Sequence, residues 1–180
     1  MKYLILFWIA LFASGSHALP MINLSGPGST LGLNQTFTVE VLVSGVEIID
    51  PLLAFGFDVD NDASLIFDGA HVASPFIDDS ALFADTDVAG STFPANDGAS
   101  ILLSTLSFST GVLAGQFDIS IASSTLDLGR SEGLFTRSDV YAIDERLIVD
   151  VAGTTPVPLP TTILLLCLGL ITLCPTLRRY

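Results

Sequence analysis

Thr36-Phe37-Thr38-Val39-Glu40-Val41-Leu42-Val43 is the stretch that decides the fold class of this chain. Phe37, Val39, Val41 and Val43 fall on one side, and Thr36, Thr38 and Glu40 on the other. That period of two is the signature of a strand with one buried face. The β-branched content supports the same reading, because such side chains pack well on a pleated surface.

The pattern repeats outward from this strand. Leu53, Phe55, Phe57 and Val59 alternate with small or acidic Ala54, Gly56 and Asp58, and Leu65-Ile66-Phe67 follows the turn-rich Asp60-Asn61-Asp62. Further strands are predicted at Ile101–Phe108, Phe117–Ala122, Thr125–Leu128, Val140–Ile143 and Leu147–Val151, punctuated by Ser109-Thr110-Gly111 and Leu113-Ala114-Gly115. Residues 70–100 lack a clean period and carry Pro75, Asp78-Asp79, Asp85, Asp87, Gly90, Pro94 and Gly98, which predicts a long, partly ordered connection, with Phe76, Ile77, Leu82 and Phe83 available to pack down. No window in the body keeps a helical stripe. The expectation is an all-β sandwich of about eight strands, with regular helix confined to the two ends.

Those ends differ from the body in chemistry. Residues 1–18 have a positive start at Lys2, an apolar stretch from Tyr3 to Phe12 and small residues before Ala18, the pattern of a signal peptide cleaved between Ala18 and Leu19. At the other end, residues 161–177 form an apolar run at the lower limit for a transmembrane helix, followed by Arg178 and Arg179. The positive-inside rule places residues 178–180 in the cytoplasm and the body outside it. The chain therefore divides into a leader (1–18), a sandwich domain (19–152), a linker (153–160), an apolar helix (161–177) and a basic tail (178–180).

Charge excludes one partner class. The body retains Arg130, Arg137 and Arg146 against all nineteen acids, a formal charge of −16 with no lysine, so a phosphate backbone is repelled and nucleic acid is not a partner. Both cysteines, Cys167 and Cys174, sit in the apolar run, which leaves the body without disulfide or thiolate chemistry.

The catalytic inventory is thin. The body holds one histidine, His71, one tyrosine, Tyr141, and no G-x-S-x-G elbow, so no catalytic residue is assigned and the chain is read as not an enzyme. Asp58, Asp60 and Asp62 are alternate hard-oxygen donors and stand as candidate calcium ligands. Ala63 and Gly69 occupy the places where an EF-hand needs Gly and Glu. No other cofactor is expected.

Two resemblances add to this reading. Val157-Pro158-Leu159-Pro160, the apolar run and Arg178-Arg179, in that order, resemble the PEP-CTERM sorting signal of Gram-negative bacteria, here in a VPLP variant with Leu159 where the usual motif has Glu. The resemblance implies recognition by a membrane-embedded exosortase, cleavage near the Pro motif, and release to the cell surface or an extracellular, biofilm-type matrix. Residues 30–151, with TFTVEVLVSGV, LAFGFDVDNDASLIFDGAHV and ILLSTLSFSTGVLAGQFDISIAS in succession, are similar to a cohesin-like jelly roll. Together they imply a non-catalytic exported protein that passes through an inner-membrane intermediate and serves adhesion, exopolysaccharide association or contact with a surface protein. The alternatives are a secreted polysaccharide-active hydrolase and a calcium-dependent adhesion module.

Overall fold

In the computed structural model, which describes residues 19–124, 126 and 131–153, the opening stretch forms the middle of β2 (Thr36–Val46). Phe37, Val39, Val41 and Val43 are all buried, as their period requires. β2 lies between β1 (Met21–Ser25) and β7 (Gly98–Thr110), and β7 pairs on its far side with β4 (Leu65–Val72). These four antiparallel strands make one sheet of the sandwich.

The second sheet is built around β3 (Leu52–Asn61). One side of β3 carries β6 (Val88–Asn96), which in turn pairs with the short β5 (Ile77–Asp78). Two partners share the other side in succession. β9 (Gly133–Thr136) pairs with Leu52–Gly56, and β8 (Gly115–Ala122) pairs with Asp58–Asn61. β10 (Val140–Tyr141) extends β9, and β11 (Asp144–Val151) extends β8. Phe55, Phe57, Leu103, Leu106, Phe108, Ile119, Ile121 and Leu134 fill the space between the sheets, with Phe108 stacked on Phe37 at 5.6 Å and tilted against Phe67 at 5.3 Å.

Several expectations change. The described residues hold eleven strands rather than about eight, β1, β5, β6 and β9 being additional and one of the expected eight lying outside them. Residues 70–100 are structured, carrying the end of β4, β5, a 3-10 turn at Ser80–Leu82 and the nine-residue β6. The expected Thr125–Leu128 strand, the leader and the C-terminal helix lie outside the described residues, save Leu126, which is in a turn.

The face assignment of β3 also changes. Leu52 is wholly buried and Leu53 is 37% exposed, because a β-bulge between Leu52 and Ala54 shifts the register against both neighbours. An extra residue in one strand reverses which face the preceding side chains occupy. β7 shows the same device. Ile101 and Leu103 point inward before an irregularity opposite Val41/Leu42, and Ser104, Leu106 and Phe108 point inward after it.

Candidate interaction face

β3, β6 and β9 place a row of side chains on the outside of the second sheet. Phe55 is buried, so its neighbour Ala54 points out. Ala54 pairs directly with Phe135 on β9 and with Ser91 on β6, and Ser91 pairs with Ile77 on β5. Paired residues share a face, so Phe135, Ala54, Ser91 and Ile77 form one outward row. Phe83 closes a hollow of about 170 Å³ over Ala54, Ala89 and Phe135, with Asp79, Ser91 and Ser131 at its polar rim. Ile77 is 65% exposed and Phe93, at the rim where the β3/β6 ladder breaks, is 96% exposed. Large side chains this bare make this side of the second sheet the candidate interaction surface.

Hydrogen bonds fix this margin of the sheet. Ser91 Oγ donates to Asp79 Oδ2, Ser80 Oγ donates to Asp78 Oδ1 at 2.7 Å, and the Ala89 N–H donates to Ser80 Oγ at 3.0 Å. The side chain and backbone N–H of Ser80, with a further contribution from His71, outweigh desolvation and hold the Asp78 carboxyl below its ordinary value.

The other half of the same outer face is acidic. Asp60, Ser120 and Arg146 form one cross-strand row, and Asp58, Ala122 and Asp144 form the next. Arg146 makes an ion pair with Asp118, and Asp118 first and then Asp62 raise the guanidinium pKa. The Asp62 carboxylate accepts the Asp118 N–H at 2.9 Å. The three calcium candidates thus lie along one strand and its turn, with Asp62 engaged by β8. Among the described residues, no three His, Cys, Asp or Glu side chains are gathered to hold a metal ion.

A separate cleft of about 310 Å³ lies at one end of the sandwich, bounded by Leu19 and Pro20, by Ile49 and Asp50 of the β2–β3 turn, and by Ser138, Asp139 and Tyr141. Asp50 is structural there. Its carboxylate accepts the Ser138 N–H and the Thr136 hydroxyl, each at 2.9 Å. Burial pushes its pKa up, but the hydrogen bonds from Ser138, Thr136 and Arg137 more than offset this and hold it low. Desolvation first, then Asp50 and Asp139, push the Tyr141 hydroxyl up.

His71 is exposed on β4 opposite Thr105. Leu19 is exposed at the start of the described residues, while Ala18, Val157, Pro158, Leu159, Pro160, Arg178 and Arg179 lie outside them. Sequence reasoning missed Phe93 and Phe135 and expected Ile77, Leu82 and Phe83 to pack down with Phe76, which alone of the four is buried, because an apolar residue in an irregular segment gives no sign of which way it faces.

No protein-family model and no curated protein sequence matches the chain. Solved structures do. A cohesin module from a Clostridium perfringens family 33 glycoside hydrolase superposes with a TM-score of 0.52 at 7% identity, covering 75% of this chain and 99% of that one. The fold is cohesin-like. A type III cohesin module from the cellulosomal ScaE cell-surface anchoring scaffoldin of Ruminococcus flavefaciens superposes with a TM-score of 0.50 at 15% identity, covering 73% and 87%. The cohesin-like frame accounts for the two-sheet architecture, and at these identities it is the fold alone that is shared.

Proposed function

We propose that this chain is a non-catalytic exported protein of the cell surface or extracellular matrix, whose cohesin-like sandwich makes a protein contact through the apolar half of its outer sheet face. The observation that carries this reading is the outward row of Phe135, Ala54 and Ile77 with Phe83 and Phe93 beside it. Protein contact is favoured over exopolysaccharide association because the exposed groups are aliphatic and phenylalanine side chains, without the tryptophan or tyrosine platforms that pair sugar stacking with hydrogen bonding. The leader brings the chain across the membrane. The Val157–Pro160 motif, the apolar run and Arg178-Arg179 then address it to an exosortase, which removes the anchor.

The contact is tested by a chain carrying Ile77→Asp and Phe93→Asp, with its fold checked by circular dichroism. It is expected to leave the cell-envelope fraction for the culture fluid. Retention equal to that of the unaltered chain removes this face from the function. Sorting is tested separately by the mass of the mature protein, which is expected to lack Cys167. Mature protein that keeps Cys167 ends the exosortase reading.

A further inference from the structure

The sandwich has two poles. Met21 pairs with Ser44 near the β2–β3 turn, which puts the start of the described chain at the first pole. β11 ends at Val151, opposite Gly115, which puts the end of the described chain at the second. β7 runs between them for thirteen residues, roughly 40 Å at ~3.3 Å per residue.

At the second pole, β7 turns into β8 through Gly111-Val112-Leu113-Ala114. The approach to this turn is clamped on several sides. The Gly111 N–H donates to the Ser64 carbonyl at 2.8 Å, the Gly111 carbonyl accepts the Asn34 N–H at 3.2 Å, and the Thr110 hydroxyl donates to the Gly32 carbonyl at 2.7 Å. From this rigid base Val112 and Leu113 project into solvent, 73% and 60% exposed. Gly153 lies against the same turn, since a Cβ built on it would stand 3.4 Å from the Ala114 methyl carbon. Seven residues then lead to Thr161, where the apolar run begins. Fully extended, they reach at most about 25 Å.

From this placement we infer that Val112 and Leu113 form a membrane-contact tip, which enters the lipid interface beside the anchored segment and seats the sandwich second pole down. The inference rests on residues 161–177 being membrane-anchored, as proposed above. The partner is a lipid surface of low charge. The titratable groups facing this end of β8 and β11 are Asp62, Asp118 and Asp150, and these repel anionic headgroups. Two apolar side chains would hold a free protein at a bilayer only weakly. On an anchored chain the contact is intramolecular, at an effective concentration of about millimolar for a short linker, so it sets orientation rather than attachment. This seating keeps the Pro motif within reach of a membrane-embedded enzyme and turns the first pole outward.

The experiment uses residues 19–180, the chain that leader cleavage leaves, which holds no tryptophan, so that one introduced tryptophan is the only one present. Val112→Trp is compared with Phe93→Trp, which lies toward the first pole because Asn96 at the end of the same strand pairs with Leu52. Both chains are reconstituted into phosphatidylcholine vesicles brominated on the upper acyl carbons. Val112→Trp is expected to shift to the blue and be quenched, as for a group about 5–10 Å into the interface. Phe93→Trp, equally aromatic and exposed, is expected to stay unquenched. The inference is overturned if the chain floats with the vesicles and Val112→Trp is quenched no more than Phe93→Trp. A chain that does not float with them overturns the anchoring reading and this one together.

Discussion

Gly56→Ala is the sharpest test of how the outer face is built. Gly56 lies where β3 changes partner from β9 to β8, and the Ser131–Glu132 segment that leads into β9 crosses directly over it. A Cβ on Gly56 would stand 1.8 Å from the Ser131 carbonyl oxygen and 3.0 Å from its carbon. Alanine in a strand ordinarily gains about 0.5–1 kcal/mol over glycine from lower chain entropy. Overpacking costs about 1–3 kcal/mol, and a clash with backbone, which cannot rotate away, belongs at the upper end. The net expectation is a loss of about 2 kcal/mol, or about 8 °C in Tm at ~4 °C per kcal/mol for a domain of this size. Two other glycines calibrate the result. At Gly90 a Cβ would meet the Phe55 ring and Val72 at 2.9 Å, both buried in the core but side chains rather than backbone, so Gly90→Ala is expected to lose about 1 kcal/mol. At Gly28 nothing lies within 4 Å, and Gly28→Ala is expected to stabilise by about 0.4–1 kcal/mol. Thermal and urea unfolding of the three variants should rank them in that order. A Gly56→Ala protein that melts at or above the parent would show that Ser131–Glu132 does not cross β3.

Three further outcomes are expected. Leu103→Ala should cost about 2–5 kcal/mol in urea unfolding and Leu102→Ala far less, since Leu103 is wholly buried and its neighbour is not; equal losses would refute the register shift in β7. The folded pKa of Asp50 is depressed below its ordinary 3.8, so its stabilising effect is present above that pH and lost as pH falls through the folded value; Tm of Asp50→Asn should lie below the parent at pH 7, with the gap closing under acid, and a gap independent of pH would refute the assignment. EDTA should leave the Tm unchanged, because Asp62 is engaged with the Asp118 N–H and no acidic triad is gathered among the described residues; a fall in Tm reversed by calcium would refute this.

The sequence made some of this legible and hid the rest for identifiable reasons. β2 could be read because its inner face is wholly Phe and Val and no bulge interrupts residues 36–43. The Leu52/Leu53 assignment failed because a bulge leaves no mark in composition. β6 was invisible for a different reason. Its inward residues are Val88, Gly90 and Thr92, small because the Phe55 ring lies directly beneath Gly90, so the strand shows no hydrophobic alternation at all. The candidate face lies mostly in and around this stretch. Tertiary packing, and not local pattern, turned Ile77 and Phe83 outward.

The two halves of the outer face constrain any partner that covers both. The apolar half ends at β5, a strand of only two residues, Ile77 and Asp78, followed by Asp79, and short, charged edges oppose the addition of another strand. A partner therefore approaches the face and not the edge. Self-association through the apolar half is resisted by the −16 charge of the body, which repels a second copy. Beside that half lie Asp58, Asp60, Asp118 and Asp144, with Arg146 among them. A partner spanning both halves would thus present apolar anchors flanked by basic groups. Its basic groups would govern the rate of encounter and the sensitivity to salt, and its apolar anchors the lifetime of the complex.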